Sequence, residues 1–184
     1  MATAQGEVSA QGFPPAVMSL VRVIDTISEW SGRIFAWMIV PLMVGTTYEV
    51  IVRYAFNAPT IWAYDLSYML YGAHFMLGAA YTLLKGGHIR TDIFYQNWST
   101  RTQGWVDFLL YLLLFFPGII FFFWMGSQEG LQSLRIWERS DASPWRPVVW
   151  PLKLVLPVTA MLLLIQGVSE LIKSLHMALR GRSL

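Results

Sequence analysis

The chain has 184 residues, of which 55% are hydrophobic and only 13% charged, with a mean hydropathy of +0.49. Soluble domains carry about 25% charged residues, so an ordinary water-soluble fold is excluded and a membrane is implied. A formal charge of +2 without a dense Lys/Arg run gives no footing for nucleic acid, and zero Cys excludes disulfides, thiolate metal sites and Cys nucleophiles.

Residues 1–16 are small and polar, end in Pro14-Pro15 and lack the basic start and apolar core of a signal peptide. They read as a flexible tail ahead of a single membrane domain over 17–178. From Met18 to Arg33 the apolar Leu20, Val21, Val23, Ile24, Ile27 and Trp30 recur at spacings of three and four, with Arg22, Asp25, Glu29 and Arg33 largely between them. This pattern predicts an amphipathic helix at the membrane surface, continuous with the first span.

Four apolar runs reach spanning length, about 34–52, 62–84, 106–125 and 154–172. The first contains Pro41, which removes a backbone donor and bends a helix. Asn57-Ala58-Pro59-Thr60 turns the chain back, with Thr60 placed to cap the next helix. The second run has Asp65 near its start, His74 near its middle, and Gly72, Ala73, Gly78, Ala79 and Ala80, small residues that allow close helix approach in lipid. It is expected to be the most protein-covered helix. The third run holds Pro117-Gly118 within a Leu/Phe surface, the 141–151 loop is rich in Pro and Trp, and Pro157 interrupts the fourth run before a basic tail at 179–184.

Placing the N-terminus, the 85–105 loop and the C-terminus on one side collects eight Lys/Arg against five opposite, which puts both termini in the cytoplasm. The expected fold is therefore an all-α integral membrane protein of four transmembrane helices with an amphipathic N-terminal helical extension.

The chemistry is sparse. A transporter acting alone needs ionisable groups or broken helices at the middle of the membrane, and here only His74 sits at that depth. His74 reads as a neutral side chain hydrogen-bonded to a neighbouring helix. A haem ligand would need a second His at similar depth, which His88 and His176 do not supply; a haem-carrying membrane anchor of a redox complex is the rival class, resting on His88 and His176 meeting at the inner face. Arg53 and Asp65 flank one tight turn, either as an ion pair pinning the hairpin or as two solvated charges. His88, Arg90 and Asp92 form a loop suited to a partner's loops, to lipid headgroups, or simply to the orientation rule. No catalytic triad, phosphate loop or metal-ligand spacing is present, so neither an enzyme nor a bound cofactor is expected.

One stretch carries more. Arg53-Tyr54-Ala55-Phe56-Asn57-Ala58-Pro59, then Trp62 and Asp65, Leu77-Gly78-Ala79-Ala80-Tyr81 and His88-Ile89-Arg90-Thr91-Asp92 resemble the small membrane subunit, DctQ-like, of tripartite ATP-independent periplasmic (TRAP) transporters. The family often has Glu where Asp65 stands and Val-Asp where Thr91-Asp92 stands. The resemblance implies a bacterial inner membrane, a large many-span subunit carrying the sodium and substrate sites, and a periplasmic substrate-binding protein. It also implies a non-catalytic scaffold role, with membrane lipids around it. Arg53, Tyr54, Asn57, Trp62, Asp65, His74, Gly78, His88, Arg90 and Asp92 are the residues expected to shape the structure or the partner interface. Ser143 to Lys153, with Gln166-Gly167, is similar to family versions associated with oxo acids and other organic acids rather than four-carbon dicarboxylates.

Overall fold

The structure, a computed structural model, describes residues 14–87, 95 and 97–182. Every regular element among them is helical, apart from an isolated antiparallel bridge between Arg139 and Val148. The expected tail lies almost wholly outside the described residues, as do His88, Arg90 and Asp92.

Helix α1 (Pro15–Ala36) starts on a proline, whose fixed φ suits the first turn. It buries Val21, Ile24, Ser28 and Gly32, one residue per turn along a single face. α2 (Ile39–Ala55) continues it after a break at Trp37-Met38. Pro41 explains the break: it has no N–H for the Trp37 carbonyl, and its ring crowds that oxygen. The chain responds by tightening, with Trp37 N bonding Ile34 O (3.2 Å), Met38 N bonding Phe35 O (3.1 Å) and Val40 N bonding Trp37 O (3.1 Å), all three-residue steps.

The second apolar run is not one helix. α3 (Ala63–Leu77) and α4 (Ala79–Leu84) are separated at Gly78. Thr82 sends both its backbone N–H (3.0 Å) and its hydroxyl (3.1 Å) to the Gly78 carbonyl, a back-bond known to bend helices. Among the described residues three helical stretches have by themselves the length and apolarity to cross a membrane, Pro15–Ala55, Thr100–Arg135 and Trp150–Arg180, and the second of the four expected spans is divided between α3 and α4.

α5 (Thr100–Leu110) is capped by Ser99, whose hydroxyl accepts from Thr102 N. It passes through one π-helical turn, Tyr111–Phe115, into α6 (Phe116–Arg135). The wide turn sits just before Pro117 and absorbs its missing donor, with Phe116 N reaching back to Tyr111 O. α7 (Trp150–Arg180) runs through Pro157 and ends at Gly181 in a left-handed conformation, φ 66°.

α7 is the hub, touching α1, α3, α4, α5 and α6. A third of its most apolar stretch is buried, whereas the corresponding stretches of the other two long helices hold no fully buried residue. The 62–84 run, expected to be the most covered, buries Ala63, Asp65, Ala73, Leu77, Ala80 and Leu83, and it shares that cover with α7. Packing on α7 is set by glycine notches. A Cβ on Gly104 would lie 2.3 Å from Ala178 N, and one on Gly167 would lie 2.5 Å from the Phe115 ring. Around Ala80, Leu83 and Leu163 the helices close into a small apolar core with Tyr111, Phe115 and Ile119.

Candidate functional site

Polar side chains gather at two opposite ends of the bundle. At the turn end, between α2 and α3, Asn57 takes a left-handed conformation (φ 51°) that Asn tolerates better than most residues. Glu49 organises the turn: it accepts from Arg53 Nε (2.8 Å), from Thr60 N (3.1 Å) and from the Thr60 hydroxyl. Thr60 therefore ties the turn to α2 and does not cap α3, whose N-cap, Trp62, makes no side-chain cap bond. Trp62 stacks on Tyr48, with ring centroids 5.9 Å apart, while Tyr54 is exposed.

The ion pair considered between Arg53 and Asp65 is not formed. Arg53 belongs to Glu49, and Asp65, 2% exposed, accepts from the Ser140 hydroxyl (2.8 Å) and the Ser143 hydroxyl. A buried carboxylate needs donors, and the two serines supply them from the loop over residues 136–149. That loop is further fixed by Ser140 N to Pro147 O (2.8 Å) and by Lys153, which donates to both Glu138 oxygens (3.0 and 2.7 Å). The Lys153 ammonium holds the Glu138 carboxyl below the ordinary glutamate range. Replacing Asp65 with Ala should strand two hydroxyls and free the loop at a cost of about 1–3 kcal/mol. Limited proteolysis between Trp137 and Val149 should then quicken, and cleavage at the wild-type rate would contradict this role.

Halfway along α3, His74 Nδ1 lies 3.1 Å from the Phe35 carbonyl, at the α1–α2 break. With its proton on that nitrogen, the ring donates to the Phe35 carbonyl and ties α3 to the end of α1. Gly78 forms the α3–α4 joint four residues on, beside the contact where Tyr81 fills the notch at Gly32.

At the opposite end, Asp25 of α1 accepts from Gln166 Nε2 (3.1 Å), Ser169 Oγ (2.7 Å) and Lys173 Nζ (3.0 Å), all on α7. Glu170 accepts from the same Gln166 nitrogen (3.0 Å) and from Lys173 (2.8 Å). Gln166 is wholly buried; its amide must turn its nitrogen to the carboxylates, since the flipped form would face them with oxygen. Glu29, one turn further along α1, accepts from Arg33 (2.8 Å) on its own helix and from Lys85 (3.4 Å), just past the end of α4. The sequence reading missed the Asp25 cluster. Its signal was the polar stripe 166, 169, 170, 173 at helical spacing, of which Gln166 entered only through the resemblance of Gln166-Gly167 to family versions.

α3 also presents an uncovered stripe. Tyr64, Tyr68, Tyr71 and Phe75, at steps of four, three and four, are 67%, 58%, 62% and 73% exposed. Among the described residues no hydrogen bond reaches the hydroxyls of the three tyrosines. α2, alongside, buries no residue at all.

Residues 42–177 match the family described as tripartite ATP-independent periplasmic transporters, DctQ component. The chain belongs to the DctQ family. It is accordingly a small membrane subunit of a TRAP transporter. The match covers the turn end, the His74 and Gly78 contacts and the α7 half of the Asp25 cluster, while Asp25 itself lies before it. Systems of this family pair the DctQ component with a large DctM subunit and a periplasmic binding protein. No curated protein matches the chain.

Proposed function

We propose that this DctQ-family subunit is the non-catalytic scaffold of a sodium-coupled importer of an organic acid, bracing a large DctM subunit in a bacterial inner membrane. The solute is delivered by the periplasmic binding protein. The observation that carries the reading is the α2–α3 hairpin, which leaves three phenols and a phenyl ring uncovered along one face. Tyrosine belongs at membrane interfaces or against protein. Tyr71 lies eight residues into α3, about 12 Å along the helix, too deep for its hydroxyl to sit in lipid without a partner. A facing helix of the large subunit provides one.

The distribution of charge supports the same role. Glu49, Arg53, Asp65 and Glu138 cluster at the turn end, and Asp25, Glu29, Lys85 and Lys173 lie towards the other. His74, between them, is spent on a backbone carbonyl. Such a chain has firm ends and, among the described residues, no solute-coupling centre of its own. In this reading the bent pair α3 and α4 makes the remaining crossing, four in all. The Lys/Arg imbalance then places both termini in the cytoplasm.

The absence of cysteine makes the test clean. A single cysteine at Tyr68, in the complex with the large subunit, should cross-link to cysteines on that subunit. One at Trp124, an exposed residue of α6, should not. Cross-linking from Trp124 but not Tyr68 would assign the interface to the wrong face and overturn the proposal.

A further inference from the structure

A groove of about 530 Å³ lies between α3 and α7 beneath the 136–149 loop. Its walls are Leu66, Met69 and Leu70 of α3 and Leu152 and Val155 of α7, and its rim carries Arg139, Trp145 and Arg146. The walls offer nothing polar for a solute to bond. Both arginines are exposed, and among the described residues only one acidic side chain answers them: Asp141, 2.6 Å from Arg146 Nη2. Arg139 has a single bond, to the Arg146 carbonyl at 3.3 Å, so the rim keeps one uncompensated positive charge.

The rim is also built with strain. Arg146 stands at φ 47°, a conformation that side-chain-bearing residues adopt at a cost. Its neighbour Pro147 is tied by its carbonyl to Ser140 N, and Ser140 in turn bonds Asp65. Trp145 beside them is the aromatic type found at headgroup depth. A net cation above an apolar trench that runs along two membrane helices matches one chemistry, an anionic phosphodiester joined to a hydrocarbon chain. The volume falls in the range of small-ligand pockets, about 300–1,000 Å³.

We propose that this groove is a binding site for one anionic phospholipid, with an acyl chain between α3 and α7 and the phosphate on Arg139, flanked by Arg146. The lipid would complete a bundle whose α3–α7 seam is open at this level. It occupies a different part of α3 from the tyrosine stripe, and so does not depend on how the large subunit docks.

The test is native mass spectrometry of the full chain, delipidated in detergent and titrated with phosphatidylglycerol, with diacylglycerol of the same acyl chains, and with inorganic phosphate. One phosphatidylglycerol should bind about tenfold more tightly than the diacylglycerol, the effect expected of a hydrogen-bonded charge. Arg139→Gln should erase that preference and leave diacylglycerol binding unchanged. Leu70→Trp, which fills the trench, should abolish both adducts in a chain whose helical circular dichroism is retained. Equal binding of the two lipids, a preference surviving Arg139→Gln, adducts surviving Leu70→Trp, or inorganic phosphate competing at the lipid's own concentration would each overturn the site. So would loss of the lipid whenever the large subunit is present, since the groove would then belong to the protein interface.

Discussion

Lys173→Met should destabilise the subunit by about 2 kcal/mol, and Asp25→Asn by only about 1 kcal/mol, although the two residues form one ion pair. The asymmetry follows from counting charges. Among the described residues Lys173 is the sole cation within bonding distance of both Asp25 and Glu170. Its removal leaves two carboxylates sharing the donors of Gln166 and Ser169, and uncompensated charges away from bulk water are costly. The figure is set below the 3–5 kcal/mol typical of fully buried pairs because about a quarter of each side chain remains accessible. Removing Asp25 instead leaves a neutral Lys173–Glu170 pair and forfeits hydrogen bonds worth about 1 kcal/mol net. Denaturant titration in detergent, followed by circular dichroism, measures both. Equal losses would show that Lys173 does not compensate the pair of carboxylates. The consequence reaches function through α1, since this cluster joins the N-terminal helix to the hub.

The larger effect is expected in assembly. Truncating an interfacial tyrosine typically costs more than 1 kcal/mol, so Tyr64→Ala, Tyr68→Ala and Tyr71→Ala together should weaken association with the large subunit by about 3 kcal/mol, more than a hundredfold in Kd. The isolated chain should hardly notice, because exposed side chains contribute within about 0.5 kcal/mol. Triple replacement by Phe separates the two contributions: it keeps the rings and removes the hydroxyls, and should lie between wild type and the alanine variant. Complexes that survive the alanine triple at wild-type yield would place the interface elsewhere on the bundle.

The composition already contained the membrane setting, the helical class and the stretch that marks the family, because apolar runs of spanning length and charged punctuation are local properties. The amphipathic 18–33 segment and the break near Pro41 were legible for the same reason, since each is decided within one or two turns. The α3–α4 joint was not. A lone Gly78 inside an apolar run reads as a packing residue, and nothing in the run marks it as the break between α3 and α4. Partner choice was also out of reach. Arg53 had a carboxylate four residues before it in Glu49 and another across the turn in Asp65, and the sequence cannot say that Ser140 and Ser143 arrive to claim the second. The glycine notches at Gly104 and Gly167 illustrate the general limit. Their value depends on a backbone and a ring contributed by other helices, which no one-helix pattern contains.

The proposed strut has two polar ends, a hub helix packed on glycine notches, and one uncovered aromatic face. The central claim is that the strut is required for transport yet carries none of the solute itself. The direct measurement is sodium-driven organic-acid uptake, with the binding protein present, into proteoliposomes holding the large subunit alone, this chain alone, or both. Uptake only when both are present is the predicted result. Full-rate uptake by the large subunit alone, or any uptake by this chain alone, would contradict it.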